Sequence, residues 1–362
     1  MPPDRPVLFL VGPFPPPLGG MERVIGDLFT SPVAKAVRFH KFSTHGPPSI
    51  TWSKVGKQLY LRQLLGKLER AIASERPALL HLHAAWGAAF WRTEPITYLA
   101  ARHQVPVLLH LQSGRMHEFF GNQSPEGQER ARRYLDHCTG IAVLSPGWVT
   151  TLRNWAPAKP WFVIPNCVNV ETFACPERVA KRPGEKFRWV FAGRLETAKG
   201  ILEMLPHFPA DGGRELHLCG RATEPAIRAA LEEVRGNPAV IQHGEVALEA
   251  MRGPYCQAHG FLFPTYYEGL PLAMVEAMAA GLVVVSTPVG AIPEVLEGIP
   301  GNRLIPPREA VAVGEAIAAV EADPQAALHT GEANRQRAVE QYSIAALTEA
   351  TLAAYRSLGV PC

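Results

Sequence analysis

The chain is poor in aspartate. Only five of its 362 residues are Asp (4, 27, 136, 211 and 323), and none of them forms an Asp-x-Asp pair that would grip a metal ion. Cysteine is also sparse: six residues (138, 167, 175, 219, 256 and 362) with no C-x-x-C pair. That spacing indicates neither a zinc site nor a disulfide framework, and it predicts a reducing, cytoplasmic setting. No apolar run approaches the ~20 residues of a membrane span. The first such run, residues 7–11, is too short for a signal-peptide core and reads as an opening strand. No compact Lys/Arg block points to nucleic acid. Charged residues make up 19% and apolar ones 47%, a globular balance with little room for long disorder.

A chain of this length divides naturally into two domains, each able to bury a core. The net charge of +3 conceals an asymmetry: residues 1–180 carry 20 Lys+Arg against 12 Asp+Glu, and residues 181–362 carry 16 against 21. A basic first half is suited to an anionic partner such as membrane headgroups or a phosphate-bearing acceptor; drift of surface charge between domains gives the same tally. Strand candidates at 7–11, 79–83, 107–111, 141–145 and 161–164 alternate with helical periodicity at 21–29, 58–74, 96–103 and 128–137. The rhythm resumes with strands at 189–192, 215–219, 261–263 and 282–286. Such alternation predicts α/β architecture, with parallel sheets covered on both faces. Breaker-rich residues 174–185 set the boundary, giving domains 1–178 and 179–342 and a terminal helix from Ser343, its N-cap. Between 52 and 72, Val55, Leu59, Leu64, Leu65 and Leu68 interleave with Lys54, Lys57, Arg62, Lys67 and Arg70. A helix of this kind either lies on a membrane surface or, more commonly, turns its stripe to the core.

Chemistry-bearing residues gather after predicted strands. Tyr267-Glu268-Gly269-Leu270-Pro271-Leu272 leads into a helix carrying Glu276, with Pro271 as a first-turn residue and Gly281 as a left-handed stop. A helix start there offers unpaired N–H groups and a positive dipole end to a phosphate. After the strand at 189–192, Gly193-Arg194-Leu195-Glu196-Thr197-Ala198-Lys199 supplies a planar guanidinium and a mobile ammonium. Pro15-Pro16-Pro17-Leu18-Gly19-Gly20-Met21-Glu22 follows the first strand, where adjacent glycines permit close backbone approach. His110-Leu111-Gln112 ends another strand; alternation puts His110 and Gln112 on one face. Either contacts a sugar hydroxyl, or His110 sits satisfied in the core.

Taken together, Gly19-Gly20, Arg194 with Lys199, and Glu268 with Glu276 resemble the retaining glycosyltransferases of family 4, along nearly the whole chain. Ile164-Pro165-Asn166-Cys167-Val168-Asn169 and Thr287-Pro288-Val289-Gly290-Ala291-Ile292-Pro293-Glu294 agree as well. The resemblance implies a GT-B fold: two doubly wound Rossmann-like domains facing across a cleft, with the C-terminal helix crossing back to the N-terminal acceptor domain. It implies that Arg194 and Lys199 grip the diphosphate of a nucleotide-sugar, Glu276 takes the ribose hydroxyls, and Glu268 contacts the transferred sugar beside the backbone of Gly269, Leu270, Pro271 and Leu272. Gly19 and Gly20 close over the phosphates; Glu22, Arg92, His110 and Gln112 lie on the acceptor side. One departure stands out. Relatives often place a His beside the donor sugar where this chain has Gln112.

The expected reaction is hexosyl transfer to a hydroxyl acceptor with retention of configuration and no metal cofactor; a lipid-linked saccharide is one such acceptor. The missing Asp-x-Asp argues against a metal-dependent GT-A enzyme. The expected setting is cytoplasmic, with peripheral contact at the inner membrane face through the basic domain. Rival readings are a GT-B epimerase or hydrolase, and a non-catalytic nucleotide-sugar binder.

Overall fold

A computed structural model describes residues 5–14, 19–46 and 53–362. Pro15 to Leu18 and Trp52 lie outside the described residues. The chain divides into two compact units: residues 1–166 with 344–362, and residues 167–343.

The first unit holds a six-stranded, wholly parallel sheet of β1 (Val7–Gly12), β2 (Arg38–Ser43), β3 (Leu79–Ala84), β4 (Val107–Leu111), β5 (Gly140–Val143) and β6 (Trp161–Val163), in the order β2-β1-β3-β4-β5-β6. Every residue of β3, β4 and β5 is buried, as expected where helices cover both faces of a parallel sheet. The second unit repeats the plan with β7 (Phe187–Ala192), β8 (Arg214–Cys219), β9 (Val240–Gly244), β10 (Gly260–Phe263), β11 (Val283–Ser286) and β12 (Arg303–Leu304), in the order β12-β11-β10-β7-β8-β9. Each sheet therefore changes winding direction once, between β1 and β3 and between β7 and β10. At such a switch point the loops leaving neighbouring strands diverge and open a crevice at the carboxyl end.

The terminal helix Ile344–Ser357 groups with the first unit and packs on the helices Gly20–Thr30 and Val33–Ala36, burying Leu347, Ala354 and Tyr355. Helix Lys54–Glu75 is split along its length. Leu64, Leu68 and Ile72 are core, whereas Val55 and Leu59 are 65% and 52% exposed. No helix among the described residues is long and apolar enough to cross a membrane.

Several expectations need correction. Cys175 and Cys256 form a disulfide with Cα atoms 5.5 Å apart, although cysteine spacing indicated none. The two are 81 residues apart, and only the fold brings them together. Residues 167–178 lie with the second unit: helix Val170–Phe173 packs on helices Arg252–Gln257 and Leu272–Ala279. The Arg178 guanidinium there donates to the carbonyls of Ala280 (2.8 Å), Tyr255 (2.6 Å) and Ala258. The helix expected at 96–103 begins at Ala88 and carries Pro95 inside it. Pro271 stands at the N-cap rather than in the first turn (φ −75°, ψ 119°), while Gly281 takes the left-handed conformation (φ +79°).

Candidate functional site

In the second unit, the loop after β7 (residues 193–199) and the loop after β10 (residues 264–271) leave neighbouring strands at the switch point, so they meet. Backbone bonds join them: Tyr266 N–H donates to the Ala198 carbonyl at 2.8 Å, and Thr265 Oγ1 to the same oxygen at 3.3 Å. Gly200 (φ +72°) lies directly against Pro264, where a Cβ would overlap the Pro264 carbonyl. This approach sets Lys199 beside Glu268. The Lys199 ammonium donates to Glu268 Oε1, with the two side chains only 18% and 14% exposed, and also lies 5.4 Å from the Phe263 ring centre.

Glu268 is held from behind. Gly290 (φ +59°) abuts its carbonyl, leaving no room for a Cβ, and Ala291 N–H donates to the Gly269 carbonyl at 2.8 Å. Leu270 is buried and Pro271 opens the helix Leu272–Ala279. Glu276 lies in that helix at 4% exposure, and its Oε2 accepts a hydrogen bond from the Tyr255 hydroxyl at 2.8 Å. Arg194 shares the loop of Lys199, yet its guanidinium turns to Glu196 Oε1 at 2.9 Å and remains 72% exposed. The structure thus pairs Lys199 with Glu268 directly and leaves Arg194 outside that pair.

Sequence reasoning missed three neighbours. Tyr255 orients Glu276. Arg308 stacks on Tyr266 (4.9 Å) and donates to the Tyr267 hydroxyl at 3.2 Å. Glu196 anchors Arg194. For Tyr255 and Arg308 no local signal existed, because the fold alone carries them from distant segments. For Glu196 the two-residue spacing from Arg194 was visible.

In the first unit, Gly19 is the extended N-cap of helix Gly20–Thr30, and a Cβ there would collide with the Glu22 carboxylate; Gly20 faces open space. Glu22 Oε1 lies 3.9 Å from His45 Nδ1, with Arg92 close enough to act on the same imidazole. Burial and then the Arg92 charge hold His45 below its ordinary pKa, against the pull of Glu22. Burial also lowers Arg92.

His110 takes the core alternative. It is 1% exposed, its Nε2 donates to the Ile164 carbonyl at 3.2 Å, and its Nδ1 faces His81 Nε2 at 3.4 Å. Gln112 is half-buried just past β4, its Nε2 donating to His83 Nδ1 at 2.9 Å. Burial drives His81 and His83 well below the ordinary imidazole pKa and His110 down to about 4, so all three rings are neutral.

A family profile described as "Glycosyl transferases group 1" matches residues 186–323, and one described as "Glycosyl transferase 4-like domain" matches residues 20–167. The chain belongs to the family 4, group 1 glycosyltransferases. Among curated relatives, the alpha-maltose-1-phosphate synthase of Mycobacterium tuberculosis is 29% identical over 231 residues, 59% of this chain and 58% of that protein. The putative colanic acid biosynthesis glycosyltransferase WcaL of Salmonella typhimurium is 25% identical over 233 residues, 60% of this chain and 55% of its own. The chain thus spans little more than half the length of these relatives. Among solved structures, the sucrose-phosphate synthase of Thermosynechococcus elongatus superposes with a TM-score of 0.80 at 20% identity, covering 98% of this chain and 99% of that one. HepE from Anabaena, solved with UDP, gives 0.73 at 14% identity over 97% of this chain and all of its own. At these identities the likeness shows the fold, which is GT-B with two Rossmann-like domains.

Proposed function

We propose that this glycosyltransferase-family chain moves a hexosyl unit from a nucleoside diphosphate sugar to a hydroxyl acceptor in glycan biosynthesis, with retention of anomeric configuration and without a metal on the diphosphate. The observation that carries this reading is the Lys199–Glu268 pair at the β7/β10 switch point, beside the helix that bears Glu276. Relatives with names in saccharide synthesis, and HepE structures that hold UDP and UDP-glucose, support the donor class.

In this mechanism the diphosphate competes with Glu268 for the Lys199 ammonium and lies against the backbone N–H groups at the start of helix Leu272–Ala279. Lys199 then neutralises charge as it builds on the departing oxygen, an interaction stronger in the transition state than in the bound donor. Released from the ammonium, Glu268 accepts hydrogen bonds from the transferred sugar. Glu276, oriented by Tyr255, accepts from the ribose hydroxyls. Arg194 needs only a side-chain rotation away from Glu196 to add a second cation. The acceptor hydroxyl enters on the face the diphosphate leaves, and its proton goes to the leaving phosphate. The N-terminal unit takes the acceptor, with Glu22 and Arg92 at its own switch point.

The test is a panel of nucleotide-sugars scored first by thermal protection, since a bound ligand raises the melting temperature by mass action. Protecting donors are then incubated with and without saccharide acceptors in chelator. Acceptor-dependent release of nucleoside diphosphate is expected, with the α-linked donor giving an α-linked product. Conversion of donor without acceptor would instead identify a hydrolase or epimerase. Gln112 favours one further alternative, a binder without turnover, which would show protection and no product.

A further inference from the structure

The mechanism above leaves three buried imidazoles of the first unit unused. His81 and His83 alternate along β3 and His110 is the register partner of His83 on β4, so all three project from one face of the sheet. They are 0%, 1% and 1% exposed. We propose that His81, His83 and His110 form a binding site for one divalent transition-metal ion, zinc by ligand class.

One ring nitrogen from each residue lies within 4.8 Å of the other two. The His81 Nε2 to His110 Nδ1 separation of 3.4 Å already matches the ~3.3 Å between ligands of a tetrahedral site with Zn–N bonds of ~2.0–2.1 Å. The His83 ring stacks on His81 with centroids 4.3 Å apart, so ligation asks that ring to shift from its stacked position. The outward nitrogens are tied in the manner of metal-bound histidines, whose second nitrogen is fixed by a hydrogen-bond partner. His110 Nε2 donates to the Ile164 carbonyl at 3.2 Å, His81 Nδ1 meets the Tyr355 hydroxyl at 2.8 Å, and His83 Nδ1 meets the Gln112 amide at 2.9 Å.

Of the inward nitrogens, His81 Nε2 and His110 Nδ1 share a hydrogen bond at 3.4 Å, and the Gln112 amide lies 3.5 Å from His110 Nδ1; an ion would take the place of these bonds. Because a carbonyl only accepts, His110 carries its proton on Nε2 and presents at Nδ1 the lone pair that accepts those bonds and could instead take a metal. His83 Nε2 is buried with no hydrogen-bond partner, a condition native structures rarely leave without a reason. Metal binding at Nε2 resolves it: the proton moves to Nδ1 and the Gln112 amide turns its oxygen to accept. Three neutral imidazoles suit zinc, copper or nickel rather than magnesium or calcium, which prefer oxygen. Such an ion would cross-link β3 to β4 and, through His81 and Tyr355, fix the terminal helix.

The experiment uses the full chain without a histidine tag, stripped by chelator and reloaded with Co2+ as a spectroscopic stand-in for zinc. One Co2+ per chain is expected, with the intense visible absorption of a tetrahedral site. His83→Gln should abolish it, and Tyr355→Phe should weaken affinity by about 10-fold. His243→Gln, at the exposed His217–His243 pair, should leave it unchanged. Nucleoside diphosphate binding and far-UV circular dichroism check that each variant is folded. Should His83→Gln fail to fold, Gln112→Ala serves in its place, with weakened binding expected. Less than a tenth of an equivalent of Co2+ in the folded parent, a non-tetrahedral spectrum, or the parent's stoichiometry and affinity persisting in the folded His83→Gln or Gln112→Ala protein would overturn the proposal.

Discussion

Lys199 and Tyr255 carry separable predictions, because one is assigned to the transition state and the other to ground-state binding. Lys199→Ala should lower kcat by roughly 10²–10³, about 2.7–4 kcal/mol, the range seen when a donor to a developing oxyanion is removed. Unchanged turnover in steady-state assays would contradict the assigned role. Tyr255→Phe removes a hydrogen bond to a carboxylate that is 4% exposed. Nucleoside diphosphate affinity should fall roughly tenfold by calorimetry, in line with ~1.5–3 kcal/mol for a bond to a charged group, while kcat changes little. His259 gives a pH signature. Its Nδ1 accepts the Arg188 backbone N–H at 2.9 Å, and burial together with the Arg188 and Arg178 charges pushes its pKa down to about 4. The unfolded chain therefore binds this proton more readily than the native one. Stability is fully present above about pH 6.5 and declines as pH falls toward 4. After allowance for its partial exposure the loss is on the order of 1 kcal/mol. Urea unfolding across that window should lose part of its slope in His259→Gln.

Strand edges explain most of what the sequence concealed. The inner strands β1, β3, β4, β7, β10 and β11 are apolar runs and were legible, as were the loops that follow β7 and β10. The three unread strands β2, β9 and β12 all lie at sheet edges. One face of such a strand meets water, so Arg38-Phe39-His40-Lys41-Phe42-Ser43 looks like a polar connector until β1 pairs with it. At the site, the residues that act locally were visible: Lys199, Glu268 and Glu276 each follow or precede a strand signal. Tyr255 and Cys175–Cys256 were not, because the contacts that matter join segments of unrelated local pattern. Gly290 stood out within residues 287–294, but its contact with the Glu268 loop was not visible. Its φ of +59° and its contact with the Glu268 carbonyl leave no space for a side chain. Gly290→Ala should displace the Glu268 loop, lowering turnover and reducing stability by ~1–3 kcal/mol in denaturant unfolding. Gly20→Ala, in open space, is the matched control for stability.

The molecule is two sheets of one design, and the covalent chain passes between the units twice, once near residue 166 and again near 343. The first unit is discontinuous: its sheet comes from the beginning of the chain, and one of its covering helices from the end. Deleting residues 344–362 should expose the apolar surface around Tyr355 and destabilise that unit, whereas a fragment of residues 167–343 should still fold and bind nucleoside diphosphate. Differential scanning calorimetry of the two products would resolve this. The order of assembly follows from the same arrangement. During synthesis the first unit waits, without this helix, until residues 344–362 have been made. The second unit, made later, is complete sooner, so the part translated first becomes native last and has the longer need of chaperone protection.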